Sequence, residues 1–278
     1  MLLRRIAAFS DGGSGGNPAG VWIGEELADS RTMQRIAAQI GYSETVFAAP
    51  LRNAWRVRYF SPESEVPFCG HATIALGAAL TLDEGDGVFA LVLNDAHITV
   101  EGHNRNGRLG AILQSPQTRS DAAGPELVAD ALELFGYAAG DLDPRFPPAI
   151  AFAGATHLLI ALSDRDRLAA MRYDLDAGRE FMRKYRLVTV GLLHAETPRL
   201  FHARHAFASG GIYEDPATGA GAAALAGYLR DIGWPHGGAI DIVQGEDMGA
   251  RSLLRAEFSR VAGSSIQVSG TARIIEQR

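Results

Sequence analysis

The chain has 278 residues, 47% of them hydrophobic and 21% charged, which is room for one large domain or two of ordinary size in a folded globular protein. A formal net charge of −6 without any Lys/Arg run argues against a nucleic-acid partner. No run of eighteen apolar residues exists to span a membrane. The opening MLLRRIAAFSDGG is too short and too quickly polar for a secretory signal, and the single cysteine, Cys69, allows no internal disulfide, so a reducing cytoplasm is expected.

In chain order, GVWIG reads as a strand. DSRTMQRIAAQIG then repeats Met33, Ile36, Ala37 and Ile40 at helical spacing, with Ser30 as a possible N-cap and Gly41 as the stop. TVFAAP and WRVRYF follow; Trp55, Val57 and Tyr59 alternate with Arg56 and Arg58, the period of a strand with one dry face. CGHATIALGAALTL carries a helix with no polar face from Ala72 to Leu82, and such a helix is buried all round. VFALVLN, HITVEG and RLGAILQ are strands again. Proline and polar residues collect in 114–150, where a domain boundary is expected, although GPELVADALELFG within it has helical spacing at Leu127, Ala131, Leu134 and Phe135. HLLIALS, LVTVGLL and RLFHARHAF are strand-like, with weaker helical patterns in DRDRLAAMRY and DAGREFMRKY. A second apolar small-residue helix follows in EDPATGAGAAALAGYL, and the chain closes on AIDIVQG, SLLRAEF and IQVSGTARII.

The two halves repeat one order: strand, turn, strand, loop, apolar helix, offset by roughly 144–147 positions. That order suggests a duplicated domain, since solenoid repeats are far shorter. The expected fold is α+β, two pseudo-symmetric domains over about 1–115 and 125–265, each an antiparallel β-barrel-like sheet around its apolar helix. Residues 266–278 can return to the first domain. Each buried helix offers its N-terminus, where backbone N–H groups lack intrahelical partners and can hold a small carboxylate.

GNPAGV, SETVFAA, YFSPESEVPFCGHATIA and GIYEDPATGAGAAAL resemble the phenazine-biosynthesis PhzF-like family, of the diaminopimelate-epimerase-like fold, in its order and over essentially the whole chain. The resemblance implies an active site between two domains, a homodimer and no cofactor; no metal is expected, since no His-Glu-x-x-His or cysteine cluster appears. It implies that Glu44 of SETVF is the proton-transferring carboxylate, with His71 of CGHAT and Asp215 of EDPATG assisting it. Gly70 and Ala72 flank His71 at the first helix start, Gly219 and Ala220 sit at the second, and Asn17 is a candidate cleft residue. Two departures bear on the substrate. Ala220 stands where the family has serine, and MGARS replaces a Gly-Arg-Pro type sequence.

Blander readings stand beside these. Glu44 can be a surface glutamate in a turn, His71 or Asp215 a cap of its own helix, and Asn17 a turn residue. Cys69 reads as a small core residue beside the site; one cysteine excludes a two-thiol racemase. GGSGGNPAG lacks a phosphate loop's Gly-Lys-Ser/Thr ending, and His202 and His205 fall on opposite strand faces, against a metal pair. The resemblance thus implies a cofactor-independent isomerase that moves a proton between carbons of a small carboxylate. A non-catalytic carboxylate-binding protein and an epimerase with non-thiol bases are the alternatives.

Overall fold

The computed structural model describes residues 2–275. The chain begins with the hairpin β1 (Leu2–Ala8) and β2 (Asn17–Ile23), and helix α1 (Ser30–Ile40) carries it across to β3 (Glu44–Leu51), parallel to β2. A parallel pair requires such a crossover. The cap of α1 lies one residue earlier than the sequence suggests: Asp29, in extended conformation, accepts the Thr32 N–H at 3.0 Å, so Asp29 and not Ser30 is the N-cap. Gly41 ends the helix in the left-handed region, as expected.

Strand β4 (Ala54–Phe60) pairs with β3, the short β5 (Glu65–Val66) folds back on β4, and helix α2 (Gly70–Glu84) follows. Next come β6 (Gly87–Val92), parallel to β4, and the antiparallel strands β7 (His97–Arg105) and β8 (Arg108–Gln114).

The next stretch, where the boundary was expected, is itself structured. It carries β9 (Arg119–Ala122), helix α3 (Pro125–Phe135) and β10 (Ala149–Phe152). Then follow β11 (Thr156–Ala161), α4 (Arg165–Ala169), α5 (Leu175–Lys184), β12 (Thr189–Thr197), β13 (Leu200–Ala206) and the short β14 (Glu214–Asp215). Helix α6 (Gly219–Asp231), β15 (Ala239–Gln244), β16 (Ser252–Glu257) and finally β17 (Gln267–Ile274) complete the chain.

Two compact units result. One runs to Gln114 and takes up the chain again from Val268; the other is Ser115–Gln267. In the first, β17 pairs with both β1 and β8 and closes the ring β17-β1-β2-β3-β4-β6-β7-β8 into a barrel around α2. In the second, the order β9-β10-β11-β12-β13-β15-β16 curls around α6. Strand senses match between the units from β17–β1 and β9–β10 onward: antiparallel, antiparallel, parallel, antiparallel, parallel, antiparallel. The sheets are predominantly antiparallel, and the connections through α1, α2, α4 with α5, and α6 bring in the parallel pairs.

The central helices are buried because small residues let strands lie against them. Every residue of α2 from Gly70 to Thr81 is buried. A Cβ on Gly77 would come within 2.6 Å of Val100 on β7, and one on Gly102 would collide with Thr81 and the Gly77 carbonyl. Helix and strand thus touch backbone to backbone. In the second unit, α3, α4 and α5 pack outside the sheet over Leu158, Ile160, Val190 and Leu192, with Leu127, Phe135, Leu168 and Met182 on their inner faces.

Candidate active site

Helix α2 starts at Gly70 with Cys69 as its N-cap in extended conformation, and the Cys69 side chain makes no capping bond. The first intrahelical bond runs from the Thr73 N–H to the Cys69 carbonyl at 3.1 Å, so the N–H groups of Gly70, His71 and Ala72 precede the ladder. The Thr73 hydroxyl donates to the same carbonyl at 2.7 Å and receives the buried Tyr59 hydroxyl at 2.7 Å. This locks the first turn to β4.

Glu44 is the first residue of β3, in register with Ala19 of β2. It is 7% exposed, which removes the surface-turn reading. Its Oε2 accepts no hydrogen bond and lies 3.4 Å from His71 Nε2. His71 does not cap its helix. Its ring meets Glu44, the Ser43 hydroxyl at 3.5 Å and, through Nδ1, the Cys69 sulfur at 3.4 Å. Burial pushes His71 below its ordinary pKa against the opposing pull of Glu44, so the ring is neutral at pH 7. Asn17, buried at the start of β2 and opposite Ala8, is two residues from the strand position that faces Glu44.

The second unit holds the remaining candidates. Asp215 ends β14 and is buried; beside it, Glu214 is bound through both oxygens by the buried Arg204, which also donates to the Ala169 carbonyl at 2.6 Å. That pair fixes β14 and leaves Asp215 as the carboxylate at its end. Asp215 is not the helix cap. Thr218 is the N-cap, and its hydroxyl donates to Asp215 Oδ2 at 2.6 Å instead of capping. Gln244, at the end of β15, donates to the Asp215 carbonyl at 2.7 Å and to Thr218 Oγ1 at 2.9 Å, and accepts the Thr218 N–H at 3.1 Å. The helical ladder opens with the Ala222 N–H on the Thr218 carbonyl at 2.9 Å. The N–H groups of Gly219, Ala220 and Gly221 therefore precede it, and Ala220 is half-buried.

Cys69 is buried beside the site, as expected, and also meets the His71 ring. Two side chains here escaped the sequence. Thr218 lies inside the EDPATG motif, which was the signal that could have found it. Gln244 is 29 residues from Asp215, and only the pairing of β13 with β15 brings it close.

A barrel-like sheet around a central helix is the fold of the PhzF-family protein of Bacillus anthracis. That crystal structure matches with a TM-score of 0.86 at 20% identity, over 99% of this chain and 96% of that one. Residues 6–278 match the family model described as phenazine biosynthesis-like protein, and the chain belongs to that family. It is 30% identical to an uncharacterized isomerase of Mesorhizobium japonicum, over 92% of this chain and 91% of the relative. It is 29% identical to the trans-2,3-dihydro-3-hydroxyanthranilate isomerase of Pseudomonas fluorescens, over 95% and 94%. The chain is an isomerase. Among the described residues no helix is long and apolar enough to cross a membrane.

Proposed function

We propose that the protein is a cofactor-independent isomerase in which Glu44 takes a proton from one carbon of a small carboxylate and returns it to another. The observation that carries this reading is the Glu44 Oε2: a buried carboxylate oxygen without a hydrogen-bond donor, 3.4 Å from a neutral imidazole. An oxygen left unsatisfied costs stability unless a ligand supplies what it lacks. A carboxylate so placed is available to a carbon-bound proton, and one group suffices when removal and return occur on the same face of the substrate.

His71 lies against Glu44 and can pass a proton through Nε2. The N–H groups at the start of α2 offer positive charge where electron density moves toward the substrate carboxylate. Asp215, held by Thr218 and Gln244, is the corresponding polar group of the second unit, with Gly219 and Ala220 as candidate ligand-binding positions. The substrate class is a small unsaturated carboxylic acid, of which trans-2,3-dihydro-3-hydroxyanthranilate, named for the Pseudomonas relative, is the first to try. Cytoplasmic location and a homodimer belong to the same reading.

The test is incubation of the protein with that acid and with a panel of unsaturated and amino acids in heavy water. Product formation with deuterium on carbon, or with intramolecular transfer of the original hydrogen, supports the reading. Tight binding of an acid without turnover in either form would make the protein a binding module instead.

A further inference from the structure

We propose that Glu44, Cys69 and His71 form a binding site for a thiophilic divalent cation, zinc above all, which occupies the proton-transferring carboxylate. One donor atom from each of the three lies within 4.8 Å of the other two, and all three residues are buried. His71 Nε2 is 3.4 Å from Glu44 Oε2 and 3.9 Å from Cys69 Sγ. Tetrahedral zinc with bonds of about 2.0–2.1 Å to nitrogen, 2.0–2.2 Å to oxygen and 2.3 Å to sulfur places its ligands about 3.4–3.6 Å apart. The first separation already meets that distance, and the second needs a shift of a few tenths of an ångström.

A lone thiol would not make a site, but the Glu44 oxygen adds an independent sign. Its side chain is 9% exposed, its Oε2 accepts no hydrogen bond, and it points at the imidazole. The donor set is one thiolate, one imidazole and one carboxylate, with a fourth position left open. Thiolate and imidazole favour zinc over the hard cations magnesium and calcium. On binding, Nε2 gives its lone pair with the imidazole proton carried on Nδ1, and the metal replaces the Cys69 thiol proton, which passes to the buffer.

The site stands on its geometry; only its consequence, loss of turnover when the metal holds Glu44, rests on the function proposed above. Titration of the full chain with Co(II) in the absence of any substrate tests it directly. The native protein should bind one equivalent with a thiolate-to-cobalt charge-transfer band, and zinc should displace it. Cys69→Ala should lose the band, and Cys69→Ala and His71→Gln should each weaken binding by roughly 10–100-fold or more, given what even outer contacts contribute. A far-ultraviolet spectrum unchanged by substitution shows that the fold is kept. No bound cobalt in the native protein, or binding equally tight in Cys69→Ala, overturns the proposal. Should cobalt bind as described while Glu44→Gln still turns substrate over, the metal site stands and the catalytic reading falls.

Discussion

At the residue scale, burial decides which groups do chemistry. His71 lies against a carboxylate, yet desolvation outweighs that attraction and holds the ring below its ordinary pKa. Ring titration followed by nuclear magnetic resonance should show His71 less than half protonated at pH 6.5, where an exposed histidine is half protonated; a midpoint above that value would contradict it. CGHAT and SETVF made His71 and Glu44 legible in the sequence through resemblance. Their contact was not, because Glu44 reaches α2 only through the placement of β3 across the barrel. Cys69 is the small buried residue beside the site that the sequence suggested, and only its contact with the imidazole was illegible, for a related reason. A cysteine-x-histidine pair with a glutamate 25 residues upstream matches no familiar ligand spacing, and its contact with the imidazole exists only once the helix start is formed.

At the element scale, small residues and buried rings set the tolerances. Gly102→Ala pushes a methyl group into the backbone of α2 at Gly77, and a carbonyl cannot turn aside as a side chain can. It should destabilise the first unit by about 1–3 kcal/mol, the usual cost of overpacking, read as a lower urea midpoint; an unchanged midpoint would mean that β7 does not bear on α2. In the second unit His157, Thr189 and His205 form a buried chain across β11, β12 and β13, with Thr189 Oγ1 2.7 Å and 2.9 Å from the two Nδ1 atoms. Burial holds His157 down to about 4, and burial with the neighbouring His157 holds His205 down to about 3. The unfolded chain takes up these protons below about pH 6.5 and the folded one does not. Stability is therefore full above that pH and falls as pH drops toward 4, by about 3 kcal/mol from His157 alone. Ring titrations should find neither histidine protonated above about pH 5; a midpoint near 6.5 for either would contradict the burial. The sequence placed His205 on the strand face opposite His202, but its hydrogen bond to Thr189 depends on a register that no pattern of hydrophobicity reveals.

At the scale of the whole molecule, duplication was legible because each half repeats the strand, turn and apolar-helix order with small residues throughout its helix. The parallel pairs were not, since alternation along a strand says nothing of its neighbour's direction. The ring of the first unit closes only through β17 between β1 and β8. Ending the chain after Ile266 should open the barrel and remove its cooperative unfolding transition in calorimetry; a chain so shortened that melts like the native one would contradict that closure. The homodimer proposed above would bury a sheet edge or face. Light scattering at micromolar concentration should give twice the 29.6 kDa chain mass, and a monomer mass would contradict it. The proposed proton transfer turns on one oxygen atom. Glu44→Gln keeps the shape of the side chain and cannot accept a proton from carbon. Its turnover of a substrate identified for the native protein, measured with ligand affinity and the near-ultraviolet spectrum as controls on the fold, should fall by about 10²–10⁴ while both controls stay as they were. Turnover within a few-fold of native would contradict the account and assign the proton to another base.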